Sequence, residues 1–340
     1  MSDVAAIIDD VRARGDAALR EWSLRLDGEA FAPARAAGDV RRDALLAAAD
    51  AVRRWHAMQR PADVECEVLP GVQLQRRWVP LESVGVYVPR GLVSSLVMTA
   101  VPAQVAGVAR IVVCTPPNGA ALVARAAELL GVTEVWAVGG PPAIAAMAYG
   151  TESIGRVDKI VGPGSGYVNE AKLLVSRDVA IDLPAGPSEV VVVAGRDADP
   201  RLVQLELDAQ REHGPDSIAT VVEVNGDADA ALRAVEARAP EHVALLGADA
   251  EQLATRIRNA GAVFVGRHAP VPAGDYATGA NHVLPTGGWA RSVGGLGLET
   301  FLKPVTVQRI TEAGLRAIRP TIEALAEVEG MTAHAAAVRR

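Results

Sequence analysis

Residues 84–117 read VGVYVPRGLVSSLVMTAVPAQVAGVARIVVCTPP, and this stretch decides the fold. Two short β-branched runs, VGVYVP and RIVVCTPP, flank an Ala- and Val-rich segment, 95–108, of helical length. A strand, a helix and a second strand in that order predict a parallel βαβ unit with a right-handed crossover. The pattern continues: EVWAVGG (134–140) and DKIVGPG (158–164) read as further strands, and ALVARAAELLGV (121–132) as a helix between RIVVCTPP and EVWAVGG.

A second series follows. VAIDLPAGPSEVVVVAG, SIATVVEV, VALLG and AGAVFVG are strand runs, alternating with helical segments that end at His213 or lie near 228–238 and 248–259. In the first of these helices Asp199 is a candidate cap, Pro200 suits the first position, and Leu202, Leu205 and Ala209 recur at helical spacing. The predicted fold class is therefore α/β, with two Rossmann-like open parallel-sheet domains at 84–178 and 179–285. Residues 1–83 read as a helical arm and packing segment, with one helix ending at Gly28 and another at Pro61. Residues 286–340 read as a helical tail that crosses to a partner subunit.

The net charge is -7 and no Lys/Arg stripe is interleaved with aromatics, which argues against a nucleic-acid surface. No apolar run reaches membrane-spanning length, and the start MSDVAAIIDDVRARGD carries acids where a targeting peptide would not, so the expected location is cytoplasmic. Cys66 and Cys114 are the only cysteines, too few for a disulfide framework or a thiolate zinc site. His56, beside Trp55, reads as a surface or packing histidine.

Four histidines stand in unusual local sequences: His213 in QREHGPDS, His242 in APEHV, His282 in GANHVLPT and His334 in EGMTAH. Gln210 and His213, three apart, can share a helix face, although a histidine in a last helical turn also serves the helix dipole. Gln210, His213, Asp275 and His334 would offer an amide oxygen, two imidazoles and a carboxylate, a set without thiolate that suits a catalytic zinc ion. In Pro240-Glu241-His242 a carboxylate adjoins an imidazole, which can supply one base near neutrality and another that activates water. The turns VGPGSGYVNEAK and LPAGPSE follow strands, where α/β proteins bind ligands, yet neither is a GxGxxG fingerprint.

Taken in order, IIDDVRARGDAAL, VGVYVP, MTAVPAQVAGV, VDKIVGPG, IDLPAGPSEV, EHGPDS, APEH, NAGAVFVG, GDYATGANHVLPT and EGMTAH resemble the L-histidinol dehydrogenase family over almost the whole chain. The resemblance implies a four-electron oxidation of L-histidinol to L-histidine through the aldehyde, with two NAD molecules used in turn and one zinc ion per subunit. It implies Gln210, His213, Asp275 and His334 as zinc ligands, His242 as general base and Glu241 as the acid that activates water. Ser188, His282 and Glu329 fall at positions of substrate contacts, which Gln210, His213, His242, Asp275 and His334 share. It also implies a homodimer in which the tail bearing His334 reaches the neighbouring subunit's site.

The departures lie on the cofactor side. Tyr87 is retained there, but Pro142 stands where the family carries Gln, and Ser165 where it carries Asn. The loop after Tyr87, the N-terminal arm and the segment between VVEV and APEH are short. The alternatives are a paralogous zinc dehydrogenase acting on another amino alcohol or polyol, and a non-catalytic zinc- or ligand-binding descendant.

Overall fold

The computed structural model describes residues 3–183 and 186–339. It divides into two units, Met1–Gln59 with Leu81–Phe301, and Arg60–Pro80 with Leu302–Arg340. In the first unit, α1 (Val4–Arg14) is capped by Asp3, whose Oδ1 accepts from Ala5 N at 3.0 Å. Where one helix to Gly28 was expected, Gly15 breaks the run with φ +55. A helix cannot continue through the left-handed half of backbone space, and α2 (Asp16–Asp27) starts afresh with Asp16 N donating to Glu152 at 2.8 Å. β1 (Ala32–Pro33) and α3 (Arg42–Ala57) follow, and His56 is fully buried, its Nδ1 2.8 Å from Val52 O.

The chain then leaves the first unit for a hairpin, β2 (Val64–Leu69) and β3 (Val72–Pro80), and returns for the predicted βαβ series. The elements are β4 (Ser83–Tyr87), α4 (Val93–Ala106), β5 (Arg110–Thr115), α5 (Pro117–Leu130), β6 (Glu134–Ala137), α6 (Gly140–Tyr149), β7 (Lys159–Val161), α7 (Gly166–Val175) and β8 (Ala180–Ile181). The sheet order is β1-β6-β5-β4-β7-β8, parallel except where β1 meets β6. Ten residues of α4 are buried, the behaviour of a helix that is apolar on every side. Strand order reverses between β4 and β7, so the crevice beyond their carboxyl ends is the usual place for a ligand. Gly162, at φ +113 after β7, is required there because a side chain would collide with the Tyr87 carbonyl.

The second sheet comprises β9 (Glu189–Ala194), α8 (Pro200–Arg211), β10 (Ile218–Glu223), α9 (Ala228–Arg238), β11 (His242–Leu246), α10 (Ala250–Ala254) and β12 (Ala262–Val265), followed by α11 (Val271–Tyr276). Its order is β10-β9-β11-β12, all parallel. Only α9 separates β10 from β11, and β10 forms an edge.

In the second unit β13 (Leu302–Ile310) pairs antiparallel with β3, in the order β13-β3-β2, and α12 (Glu312–Val328) and α13 (Thr332–Ala337) complete it. The tail is thus not helical throughout. Its strand carries a period-2 signal, since Val305 and Val307 are half-buried while Thr306 between them is exposed.

A buried ion pair fastens the first sheet's last turns. Lys172 pairs with Asp182 and donates to Gly162 O at 3.0 Å, while Asp182 Oδ2 accepts from Gly162 N at 2.7 Å. Removing one member strands a buried charge, so Lys172→Met is expected to cost about 3–5 kcal/mol in urea unfolding. Lys172→Met/Asp182→Leu should recover most of that loss; equal losses in both variants would show that the pair does not act as a unit.

Candidate active site

The helix α8 brings the first residues to the site. Asp199 Oδ1 accepts from Arg201 N at 2.9 Å and Pro200 takes the first position, as expected. The helix stops at Arg211, two residues short of the expected end. Glu212, His213 and Gly214 donate to Ala209, Gln210 and Arg211 carbonyls in three successive i→i−3 bonds, a tightened 3₁₀-like exit. His213 consequently sits exposed in the turn, whereas Gln210 is buried. The apolar stripe is also not the buried one: Leu205 is 60% exposed, and the buried residues of α8 are Glu206 and Gln210.

Glu241 and His242 lie where β11 begins. Ala239, at φ 48 and ψ 60, turns the chain out of α9 in a left-handed conformation that a non-glycine residue rarely adopts. Glu241 precedes the strand, so strand alternation does not force it to the opposite face from His242. Its Oε2 accepts from Ser188 Oγ at 2.7 Å and from Glu189 N at 2.9 Å, and lies 3.4 Å from His242 Nδ1. Gln210 Nε2 donates to the same Ser188 Oγ at 3.0 Å. His242 Nδ1 also lies 3.3 Å from Glu189 O. With two acceptors facing Nδ1, that nitrogen carries the proton, and Nε2 is the basic nitrogen.

Burial works to raise the Glu241 carboxyl, but His242, the Glu189 amide and the Ser188 hydroxyl outweigh it and hold the carboxyl below its ordinary value. Burial works to lower His242, but Glu241, then Asp275 and the Glu189 carbonyl, outweigh it and hold the imidazole above its ordinary value.

Asp275 is buried on α11, and its carbonyl oxygen lies 3.1 Å from His282 Nδ1, with its carboxylate 3.9 Å away. Burial lowers His282, against the opposing pull of Asp275. The neighbouring Asn281 donates to Met98 O at 2.6 Å and lies 3.4 Å from His56 Nε2. Two buried acids absent from the expected set belong to this cluster. Glu189 Oε1 accepts from Gly287 N at 2.8 Å, and Glu206 Oε2 accepts from Val271 N at 3.1 Å. Glu206 lies one helical turn before Gln210, a spacing that a same-face search of the sequence would have found.

The structure thus gathers Ser188, Gln210, Glu241, His242, Asp275 and His282. Glu329, the residue that ends α12, and His334, on α13, are exposed and belong to the second unit. The gathered groups are nitrogen and oxygen donors among buried acids, a chemistry that suits a zinc ion. Among the described residues no three His, Cys, Asp or Glu side chains are close enough to hold a metal, so a closed shell would need donors beyond this buried cluster.

On the cofactor side Tyr87 is buried at the end of β4, its hydroxyl accepts from Gly140 N at 3.1 Å, and burial above all pushes its phenol up to about 12. Asp27 Oδ2 accepts from Gly139 N at 3.1 Å. Pro141 and the buried Pro142 have no N–H, so the amides of the α6 start that could hold a phosphate are engaged or missing. Ser165 is exposed before α7 and makes no capping bond. Close by, Asn169 Nδ2 donates to Gly164 O at 3.1 Å, while its Oδ1 is buried without a partner. An orphaned acceptor beside a glycine turn fits a ligand that brings a donor. Among the described residues no helix is long and apolar enough to cross a membrane.

The Glu241–His242 pair has a defined pH signature. His242 lies above its ordinary 6.5, so its contribution is complete below pH 6.5 and is lost as pH rises through the folded value. Glu241 lies below its ordinary 4.5, so its contribution is complete above pH 4.5 and is lost as pH falls through the folded value. The urea-midpoint gap between wild type and Glu241→Gln should therefore be widest between pH 4.5 and 6.5 and narrow at alkaline pH. A gap independent of pH would contradict the pairing.

The histidinol dehydrogenase family model matches residues 1–230 and 221–340. The histidinol dehydrogenase of Methanothermobacter thermautotrophicus is 41% identical over 395 aligned positions that take in 100% of this chain and 93% of that protein. The crystal structure of histidinol dehydrogenase from Elizabethkingia anophelis superimposes with a TM-score of 0.90 at 33% identity, covering 99% of this chain and 92% of that one. An acetylating aldehyde dehydrogenase from Geobacillus thermoglucosidasius, at 13% identity and a TM-score of 0.55 over 91% of each chain, shares the fold alone. With the model matched end to end and identity near two in five over the full length, the chain belongs to the histidinol dehydrogenase family.

Proposed function

We propose that this protein oxidises L-histidinol to L-histidine through histidinal, in two NAD-linked hydride transfers at one site. The observation that carries the reading is the convergence of Ser188, the Glu189 amide and His242 on one oxygen of Glu241. Among the described residues Oε1 takes no hydrogen bond, so this carboxylate has one oxygen fixed and one available for proton transfer.

In the first oxidation His242 Nε2 takes the hydroxyl proton as hydride leaves the carbinol carbon. Glu241 and the Glu189 carbonyl hold the Nδ1 proton in place and favour the imidazolium that forms. In the second, Glu241 Oε1 takes a proton from water attacking the aldehyde, and a second hydride leaves the hydrated carbon. Ser188, held by Gln210, keeps the carboxylate oriented. Tyr87, Pro142 and Ser165 are the residues that would contact NAD, which would supply the hydride acceptor. Gln210, His213, Asp275 and His334 are the residues that would hold one zinc ion per subunit, which would supply a Lewis acid to the substrate.

The other proposed substrate contacts are His282 and Glu329. The reading includes a homodimer in which the partner's tail supplies Glu329 and His334. The proposed location is the cytoplasm. An alternative substrate, another amino alcohol or polyol, is favoured only by the short segment between β10 and β11, which holds α9 alone.

Zinc-loaded protein should reduce two NAD per L-histidinol consumed. His242→Asn should lower the first oxidation by about 10²–10⁴, the usual worth of a positioned base. A stoichiometry of one would remove the second half-reaction, and an undiminished rate in the variant would remove His242 from the chemistry.

A further inference from the structure

Helix α8 buries two residues, and both are polar: Glu206 and Gln210. Leu205, adjacent to the first, is 60% exposed. Burying a carboxylate while exposing a leucine runs against the ordinary partition of side chains and requires a specific partner. For Glu206 the partner is Val271 N, 3.1 Å from Oε2. Val271 opens α11, whose preceding residue, Pro270, provides no side-chain cap, and Pro272 has no N–H. Another donor of that first turn, Ala273 N, is taken by the Pro270 carbonyl at 2.9 Å. A carboxylate from another helix thus does the capping.

The spacing gives this contact its consequence. Gln210 lies four residues after Glu206 on α8, and Asp275 four residues after Val271 on α11, so each is one turn along the same face from its end of the contact. The Glu206–Val271 bond ties the two helices at one point, and Gln210 and Asp275 each lie one turn from it on their own helix. Further along the chain, Asp275 is tied through its carbonyl to His282. At its start α11 is also held by Val271, which shares an apolar cluster with Val190, Val192, Ala244 and Leu246, and Leu202, Val203 and Leu207 of α8 pack against that cluster.

We infer that Glu206 is a positioning residue: its carboxylate ties α11 to α8 and so sets the separation of Asp275 from Gln210, and with it the affinity for the histidinol end of the site. The inference rests on the proposed use of that pocket for histidinol. Gln at this position retains a carbonyl oxygen that can accept from Val271 N, and Ala does not.

The test compares wild type, Glu206→Gln and Glu206→Ala in steady-state kinetics and in hydrogen exchange of the segment 271–276. Glu206→Ala is expected to raise the KM for L-histidinol by about 10–100-fold, the usual effect of losing a partner behind a ligating group, with the KM for NAD unchanged. Exchange at 271–276 should quicken by about tenfold or more, the loss of a charge-assisted hydrogen bond. Glu206→Gln should stay close to wild type in both. A histidinol KM unchanged in Glu206→Ala overturns the inference, as does an equal rise in both KM values, or Glu206→Gln as damaged as Glu206→Ala. If wild type does not oxidise histidinol, the functional reading fails instead, and exchange alone decides whether Glu206 holds α11.

Discussion

The candidate site depends on the parallel register of β9 and β11, in which His242 stands opposite Val190. That register puts the Glu189 amide against the Glu241 carboxylate and the Glu189 carbonyl against the His242 ring. One residue's main chain therefore holds both acid–base groups, and neither contact depends on a flexible side chain of Glu189. Its own carboxylate is engaged elsewhere, on Gly287. A slip of the register would separate the pair at once. The valine-rich strand β9, with Val190, Val191, Val192 and Val193 all buried, resists such a slip because it packs on both faces.

The candidate residues lie at opposite ends of the two sheets. In the first, Tyr87, Gly162 and Ser165 lie at or beyond the carboxyl ends of β4 and β7, the usual ligand crevice of an open α/β sheet. In the second, Ser188, Glu189, Glu241 and His242 lie at the amino ends of β9 and β11, and α8 runs back to that edge to deliver Gln210. The chain from Ile181 at the end of β8 to Glu189 at the start of β9 joins the two edges directly. Even fully extended, it spans no more than about 30 Å. The buried Lys172–Asp182 pair anchors the first end of that link.

The βαβ series from residue 84 onward was legible because parallel strands and apolar helices differ in length and in their flanking glycines. The fused helix to Gly28 was not, because a glycine within an amphipathic run reads as tolerable until its φ is known. The tail strand β13 was hidden by its short alternating signal, and its partner β3 lies more than two hundred residues earlier in the chain. At the site, Glu241 and His242 stood out as an adjacent acid and imidazole. Glu189 and Glu206 did not, since a carboxylate next to a strand or on a helix face is ordinarily solvated, and only burial distinguishes these two. The departures at Pro142 and Ser165 were legible as substitutions. Their setting was not: the start of α6 is occupied by Asp27 and Tyr87, whereas an orphaned acceptor, Asn169 Oδ1, lies beside the turn that precedes α7.

In the proposed mechanism two adjacent residues divide the labour, His242 serving the alcohol and Glu241 the water. The most direct test of that division is the rate of hydride transfer in Glu241→Gln measured separately with L-histidinol and with added histidinal. A loss of about 10²–10⁴ is expected with the aldehyde, and a clearly smaller one with the alcohol, where Glu241 acts only by supporting the His242 imidazolium. Equal losses with both substrates, or aldehyde oxidation undiminished, would contradict the division.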